Sequence, residues 1–385
     1  MAQNRSSLRR LKIGLVLDDT LDTPDGVQQY VLQVGRWLTE QGHEVHYLVG
    51  ATTRTDLDGL HSLSRNVSVR FNGNRMSIPL PASRRKLKEF LANNQFDIIH
   101  VQVPYSPFLA GRLLNLLPKT TAVIGTFHIL PYSSLVRRAN RALGVINRLS
   151  SRRFDRMLAV SEPAKEFAEK IYGYTNIIVV PNPIRLSQFE DIKSDDPELN
   201  ITFLGRLVER KGALQLLKAI NYLRINELFK GDFAVHIGGK GQLLPNLEQY
   251  VKTNRLTDIV QFHGFISEDD KADYLAAADI VAYPSMGGES FGIVLLEAMA
   301  ATRGVVLAGN NPGYSSVMQP FKSQLFDPLD VPALAHLIAK YLANQPGRHK
   351  LSEVQHDYVK SFDINKVGNQ LESIYNQALQ IRWQA

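Results

Sequence analysis

Residues 286–297 read Met-Gly-Gly-Glu-Ser-Phe-Gly-Ile-Val-Leu-Leu-Glu. Two carboxylates, Glu289 and Glu297, stand eight residues apart, with a glycine pair before the first and an apolar run between them. A purely structural core segment has no use for a carboxylate beside two glycines. A site that brings backbone amides and a carboxylate up to a sugar-phosphate does. The two glutamates suit either of two chemistries: an acid/base pair, or two separate grips on one ligand.

Other polar residues stand where apolar runs end. Asp25-Gly26-Val27 opens a helix, and a glycine there lets amides approach a phosphate; the bland alternative is an ordinary N-cap at Asp25. His128 closes Gly125-Thr-Phe-His. Gly205-Arg206-Leu-Val-Glu-Arg-Lys211-Gly212 offers two cations, Arg206 and Lys211, that would clamp a diphosphate. Gly238-Gly239-Lys240-Gly241 is a glycine-rich turn without the G-x-G-x-x-G spacing of a dinucleotide site.

These residues need a scaffold that gathers strand ends. Apolar runs at 11–17, 44–49, 67–71, 98–101, 122–126, 157–160 and 177–180 read as strands. Amphipathic stretches at 26–41, 83–94, 107–116, 133–150 and 162–171 read as helices. The alternation predicts a parallel sheet covered on both faces. It pauses at Pro181-Asn-Pro and a polar segment through Asp195-Asp196-Pro197. A second series follows, with strands at 201–204, 233–237, 260–262, 280–283 and 304–307. Its helices fall at 211–223, 242–254, 268–276, 291–301 and 331–343. Val367, Leu371, Ile374, Tyr375 and Ala378 mark a last amphipathic helix. The reading is an α/β protein of two Rossmann-like domains facing across a cleft. Their bounds are 1–182 and 183–360, with 361–385 a C-terminal helix that crosses back onto the N-terminal domain.

With 385 residues and 44% apolar content the chain can bury two cores. No apolar run approaches a membrane span, no signal-peptide core is visible at the N-terminus, and there is no cysteine. A cytoplasmic protein is the expectation. Residues 1–182 carry 24 Lys+Arg against 14 Asp+Glu, and the remainder 20 against 23. A basic first half points to a polyanionic partner: a membrane surface, phosphorylated substrates or nucleic acid.

On Gly287-Gly-Glu-Ser-Phe-Gly-Ile-Val-Leu-Leu-Glu297, Gly205-Arg206…Lys211-Gly212 and Gly125-Thr-Phe-His128, the chain resembles the GT-B retaining glycosyltransferases of family 4. Within that family it looks most like the bacterial phosphatidyl-myo-inositol mannosyltransferases. Pro24-Asp-Gly-Val-Gln28, Phe71-Asn-Gly73 and the Gly264…Lys271 spacing carry that choice. The resemblance implies roles. Arg206 and Lys211 would hold the donor diphosphate, with an amide of Gly26. Glu289 would bind the donor sugar, Glu297 the ribose, and His128 the sugar and the approaching acceptor. Gly287, Gly288, Ser290, Phe291, Gly292 and Ile293 would complete the donor loop. Ile266, Glu268 and Lys271 would face the base, which hints at GDP-mannose, with a UDP-sugar the other donor. Gln28, Asn72 and Tyr105 would lie on the acceptor side. No permanently bound cofactor and no metal are implied; the Asp18-Asp19 and Asp195-Asp196 pairs do not resemble a metal site. Transfer would run by front-face attack, with no protein nucleophile. The chain departs from the family at Asp25, where a second glycine is usual, and at Tyr105, where relatives have a small polar residue. It also lacks a lysine in Ile129–Ser134, just after His128.

Arg84, Arg85, Lys86 and Lys88 open a helix and would meet an anionic membrane at about 1 kcal/mol each, with Met76, Ile78 and Leu80 inserting. A second basic series runs from Arg137 to Arg156. The expected activity is hexosyl transfer to a lipid or membrane-proximal acceptor, on the inner face of the plasma membrane. A soluble family 4 transferase building polysaccharide or small glycosides is the alternative. A nucleic-acid-binding protein is the remote one, because the basic stretches contain few aromatic residues.

Overall fold

In the computed structural model of the chain, residues 9–384 are described apart from 24, 72–73, 103, 105, 131–149, 191 and 193–197. The backbone forms two compact units, Met1–Pro183 with Ile364–Ala385, and Ile184–Asp363.

The first unit carries strands β1 (Lys12–Leu17), β2 (Glu44–Val49), β3 (Leu60–Ser62), β4 (Asn66–Phe71), β5 (Asn74–Pro79), β6 (Ile98–Val101), β7 (Ala122–Phe127), β8 (Arg156–Ala159) and β9 (Ile178–Val179). Seven of them form a parallel sheet in the order β3-β2-β1-β6-β7-β8-β9. β6 and β7 are buried along their whole length, as strands covered on both faces must be. Strand order reverses between β1 and β6, so their carboxyl ends open a crevice. The run 67–71 does not join this sheet. It pairs with β5 as an antiparallel hairpin, from Asn66↔Pro79 to Phe71↔Asn74. The sequence between the two strands, Asn72-Gly73, is a dipeptide that favours hairpins, and the reading of parallel alternation passed over it.

Helix Gly26–Glu40 buries Tyr30, Val31, Val34, Trp37 and Leu38 at helical spacing. The same core takes Val367, Leu371, Ile374, Tyr375, Ala378 and Leu379 from helix Ile364–Gln384. Polar contacts fix this last helix along its length. Asn365 accepts from the Trp37 indole at 3.1 Å. Glu372 accepts from His43 Nε2 at 2.9 Å, while His43 Nδ1 accepts the Leu11 amide at 3.2 Å. Tyr375 meets His100 at 2.7 Å. Arg382 pairs with Asp155 at 2.8 Å. The chain thus leaves the first unit at Pro183 and returns to complete its core.

The second unit carries β10 (Asn200–Leu204), β11 (Ala234–Gly238), β12 (Val260–Gly264), β13 (Ile280–Tyr283), β14 (Val305–Gly309) and β15 (Leu325–Phe326). Their order is β12-β11-β10-β13-β14-β15, all parallel. Here the reversal lies between β10 and β13. Helix Gln345–Val359, absent from the sequence reading, buries Arg348, Ser352, Gln355 and Val359. Three of those four are polar, so the apolar period is nearly erased. Arg348 is instead anchored by the carbonyls of Tyr341 and Leu342 and by Asp279.

Leu371 is 1% exposed in a core shared by both ends of the chain. Leu371→Ala should cost about 2–5 kcal/mol, seen as a lower urea midpoint of the intact chain. A shift indistinguishable from that of the exposed-position control Lys366→Ala would show that the last helix does not stabilise this unit.

Candidate functional site

In the second unit, the loops after the two strands beside the reversal supply Arg210, Lys211 and Glu289. Beyond β10 the chain passes Gly205 and the partly exposed Arg206, then makes a single 3-10 turn, Glu209–Lys211. Gly212 ends that turn at φ 78°. A Cβ there would stand 1.9 Å from the carbonyl oxygen of Pro284, which follows β13. Only glycine lets the two loops approach so closely.

The approach delivers Arg210 and Lys211 to one carboxylate. Glu289 Oε1 lies 2.7 Å from Arg210 Nη1, 2.9 Å from Lys211 Nζ and 2.8 Å from Ser285 Oγ. Among the described residues none bonds to Glu289 Oε2, which leaves an oxygen for a ligand hydroxyl. Burial pushes the Glu289 carboxyl up, but Lys211 and Arg210 outweigh it and hold it below its ordinary range. Lys211 is pushed down by its own burial, with Glu289 opposing and Arg210 and Arg206 adding repulsion. The cluster therefore holds an ionised carboxylate under two cations that an incoming anion would further stabilise.

Beside Lys211, Glu289 pairs with Arg210, a residue that the sequence reading did not single out. The 3-10 turn brings Arg210 and Lys211 to the same carboxylate, which a motif read as Gly-Arg…Lys-Gly does not convey. Ser285 was also missed; it is buried (1% exposed) in the turn after β13.

Glu297 sits in helix Ile293–Ala301 and is 5% exposed. Its Oε1 lies 2.9 Å from Lys271 Nζ, and that ammonium also meets Glu268 at 2.7 Å. Burial lifts Glu297, with Lys271 opposing. Burial pulls Lys271 down, but Glu297 and Glu268 outweigh it and raise it. Lys271 is thus already held between two carboxylates, and Glu268 presents the exposed end of the chain of charges. Ile266 is partly buried in the same loop.

The helix after β13 starts at Ile293, not near Phe291. Gly287 (φ 149°), Gly288 (φ 73°) and the N-cap Gly292 (φ 118°) all precede it. The glycine pair therefore shapes the loop that turns Glu289 toward Lys211, and its amides are not those of the helix N-terminus. Ser290 is partly exposed in this loop. Phe291 is 5% exposed and packs on Phe362, so it can offer a ligand only backbone.

In the first unit the residues beside the reversal are mostly uncharged. His128, just past β7, is 6% exposed. Its Nε2 lies 2.9 Å from Gln102 Oε1, and its ring meets Tyr30 edge-on at 4.8 Å. Gln102 Oε1 can only accept, so the His128 proton is on Nε2 and Nδ1 carries the lone pair. Burial pushes the imidazole down to about 3, so it is neutral at physiological pH. Gln28 is buried and donates to Asp19 Oδ2 at 3.3 Å and to the Thr20 carbonyl at 3.2 Å. Gly26 is the exposed first residue of its helix, and the Asp25 side chain does not cap it. Asn72 and Tyr105 lie outside the described residues. Asp18 accepts hydrogen bonds from Ser106, Leu109 and Ala110. Among the described residues no group of three metal-ligating side chains occurs.

Arg84, Arg85, Lys86 and Lys88 are exposed on helix Arg84–Asn93. Its apolar side is turned inward: Leu87 is buried, and Phe90 and Leu91 pack against the same core. That leaves Leu80, 44% exposed, as the described apolar neighbour outside; the side chains of Met76 and Ile78 are outside the described set. Of the second basic series, Arg137, Arg138, Arg141 and Arg148 are also outside it, while Arg153 donates to the carbonyls of Pro118 and Thr121. No described helix is long and apolar enough to cross a membrane.

The chain matches two family descriptions: Glycosyltransferase Family 4 over residues 24–188 and Glycosyl transferases group 1 over residues 185–356. It is 34% identical to a phosphatidyl-myo-inositol mannosyltransferase of Propionibacterium freudenreichii over 77% of each chain. It is 29% identical to that of Mycobacterium tuberculosis over 95% of this chain and 96% of the relative. In fold it is similar to a sucrose-phosphate synthase from Thermosynechococcus elongatus, with TM-score 0.76 and 21% identity over 97% of this chain and 100% of the other.

Gly212→Ala would drive a methyl group into the Pro284 carbonyl at a positive-φ position. It should lower the melting temperature and part the two loops. The destabilisation should be about 2–4 kcal/mol, larger than the 0.4–1 kcal/mol gained where alanine fits. A melting temperature at or above that of the wild type would refute the close approach.

Proposed function

The chain belongs to glycosyltransferase family 4, with the GT-B fold, and is a glycosyltransferase; from that premise we propose that it moves a hexose, mannose first, from a nucleoside-diphosphate sugar to a lipid or membrane-proximal acceptor with retention of configuration. The observation that supports this most is the Glu289 carboxylate. One of its oxygens is held by Arg210, Lys211 and Ser285, and its other is open to a sugar hydroxyl. Under this reading the Ile184–Asp363 unit takes the donor and the unit completed by the last helix takes the acceptor.

The chemistry asks little covalently of the protein. The acceptor hydroxyl oxygen attacks the anomeric carbon from the side of the leaving group. The bond from that carbon to the phosphate oxygen breaks, and the hydroxyl proton passes to a phosphate oxygen of the departing nucleoside diphosphate. Lys211 and Arg210, with Arg206 near them, stabilise the charge that develops on the leaving group. Glu289 orients the sugar, and Glu297, poised by Lys271, takes the ribose. His128, neutral with Nδ1 as acceptor, receives a hydrogen bond from a sugar or acceptor hydroxyl and does not act as a charged acid. Glu268, its side chain 50% exposed, is the residue placed to accept from the N–H edge of guanine. The relatives' names, which say mannosyltransferase, favour the same donor. Lys271, engaged by two carboxylates, supports Glu268 rather than reading the base itself.

A donor screen by thermal shift should show GDP-mannose stabilising the protein more than UDP-glucose or UDP-GlcNAc, by RT ln(1 + [L]/Kd). Glu289→Ala should lower transfer by at least about a hundredfold while the protein still melts cooperatively. Normal turnover in that variant would remove the donor assignment, and preference for a uridine donor would remove the guanine one.

Arg84, Arg85, Lys86 and Lys88 are proposed to hold the first unit on anionic lipid. Changing all four to glutamine should release the protein from vesicles containing anionic lipid in co-sedimentation, and more so at low salt, where the wild type binds best. Wild-type sedimentation that does not depend on anionic lipid content would overturn this electrostatic docking.

A further inference from the structure

Asp18 is the first residue after β1 and is 6% exposed. Its Oδ2 accepts from the Ser106 hydroxyl and from the Leu109 amide at 3.0 Å, and its Oδ1 from the Ala110 amide at 2.7 Å. All three donors belong to the segment that leaves β6. That same segment begins with Gln102, the partner of His128. β1 and β6 are the strands on either side of the order reversal, so Asp18 ties together the two edges of the first unit's crevice.

The tie carries a pH-dependent cost. Burial first, with a smaller push from Asp19, lifts the Asp18 carboxyl to about 7 against the bonds from Ser106, Ala110 and Leu109. A carboxyl whose folded value is raised subtracts stability above its unfolded value of about 3.9, and fully so once pH passes the folded value. The ionised form is therefore carried at a cost at neutral pH, and groups of that kind gather where function needs them.

We propose that Asp18 is a positioning residue for the acceptor side: as a carboxylate it holds the 106–110 turn, and through it Gln102 and His128, and when it takes a proton the turn loosens. This rests on the reading of the first unit as the acceptor side. A proton on Oδ2 would be donated to Ser106 Oγ, which can turn from donor to acceptor, and the Leu109 amide would then face a neutral hydroxyl oxygen, a weaker acceptor than the carboxylate. Asp19, on its own strand end, is the charged group acting on it. Helix Leu109–Leu114 brings backbone amides, and its Arg112 is turned to the Ala82 carbonyl. Burial holds His128 neutral, and burial with His128 does the same for His100, each near 3.

The test uses the full chain and two readouts. Hydrogen exchange of peptides covering 106–114, corrected for intrinsic rates, should show protection falling about tenfold between pH 8 and pH 6 in the wild type, the scale of one lost hydrogen bond. Asp18→Asn, unable to accept from all three donors, should be poorly protected at both pH values. Ser106→Ala keeps the charge but removes a bond that favours it, so its transition should move to higher pH. In parallel, kcat/KM for acceptor should fall with pH through the same transition in the wild type and be low and flat in Asp18→Asn, with donor affinity unchanged. Wild-type protection and an unmoved inflection in both variants would overturn the proposal. If Asp18→Asn fails to fold, the direction of the Ser106→Ala shift decides. If no acceptor is turned over by the wild type, the assignment of function fails while the exchange data still judge Asp18.

Discussion

The charged site of the second unit depends on one shared charge. Glu289 Oε1 sits within 2.9 Å of both Arg210 and Lys211. Burying either cation alone, or the carboxylate alone, would cost several kcal/mol. Together they compensate, and the compensation dictates backbone. The loops after β10 and β13 must nearly touch, so Gly212 takes a left-handed conformation under Pro284, and Gly288 turns Glu289 back toward the cations. With one carboxylate facing two cations, the cluster keeps an excess positive charge, and a diphosphate is the kind of group that completes it.

The two units use the same topological position for different physics. Each gathers its polar residues at the carboxyl ends of the strands that flank the order reversal and of strands close to them. In the second unit these residues are ions held in register by other ions. In the first they are a neutral histidine, two glutamines and two adjacent carboxylates, Asp18 and Asp19, the first of them raised by burial. Charged partners suit a ligand whose charge grows during the reaction. Neutral hydrogen bonders suit a hydroxylated molecule that must be aligned without being held too tightly.

Much of this was legible. Strands 44–49, 98–101 and 280–283 stand where apolar runs bounded by polar residues put them, because a strand buried on both faces leaves no ambiguity of face. The antiparallel hairpin β4–β5 and helix Gln345–Val359 were not legible. The first needed the Asn-Gly dipeptide of its sequence weighed above the surrounding alternation. The second buries arginine, serine and glutamine, which carry no apolar period. At the site, the carboxylates and Lys211 could be picked by type and spacing. Arg210 could not, since only the 3-10 turn decides which cation of 206–211 reaches Glu289. Asp18 was noticed only as half of an acidic pair, because its meaning comes from three donors about 90 residues away in sequence.

The same limit applies to net charge. The basic excess of the first 182 residues reads as a single attractive surface, yet its described members divide by role. Arg153 and Arg156 donate to backbone carbonyls just before β7 and β8, and Lys12 is paired with Glu44. Arg84, Arg85, Lys86 and Lys88 face outward on a helix whose apolar side is already committed to the protein's own core. Such a helix cannot bury its hydrophobic stripe in lipid without unpacking Leu87. Any hold it has on a membrane must then be chiefly electrostatic, weakened by salt and reversible, unlike that of an amphipathic helix lying in the interface.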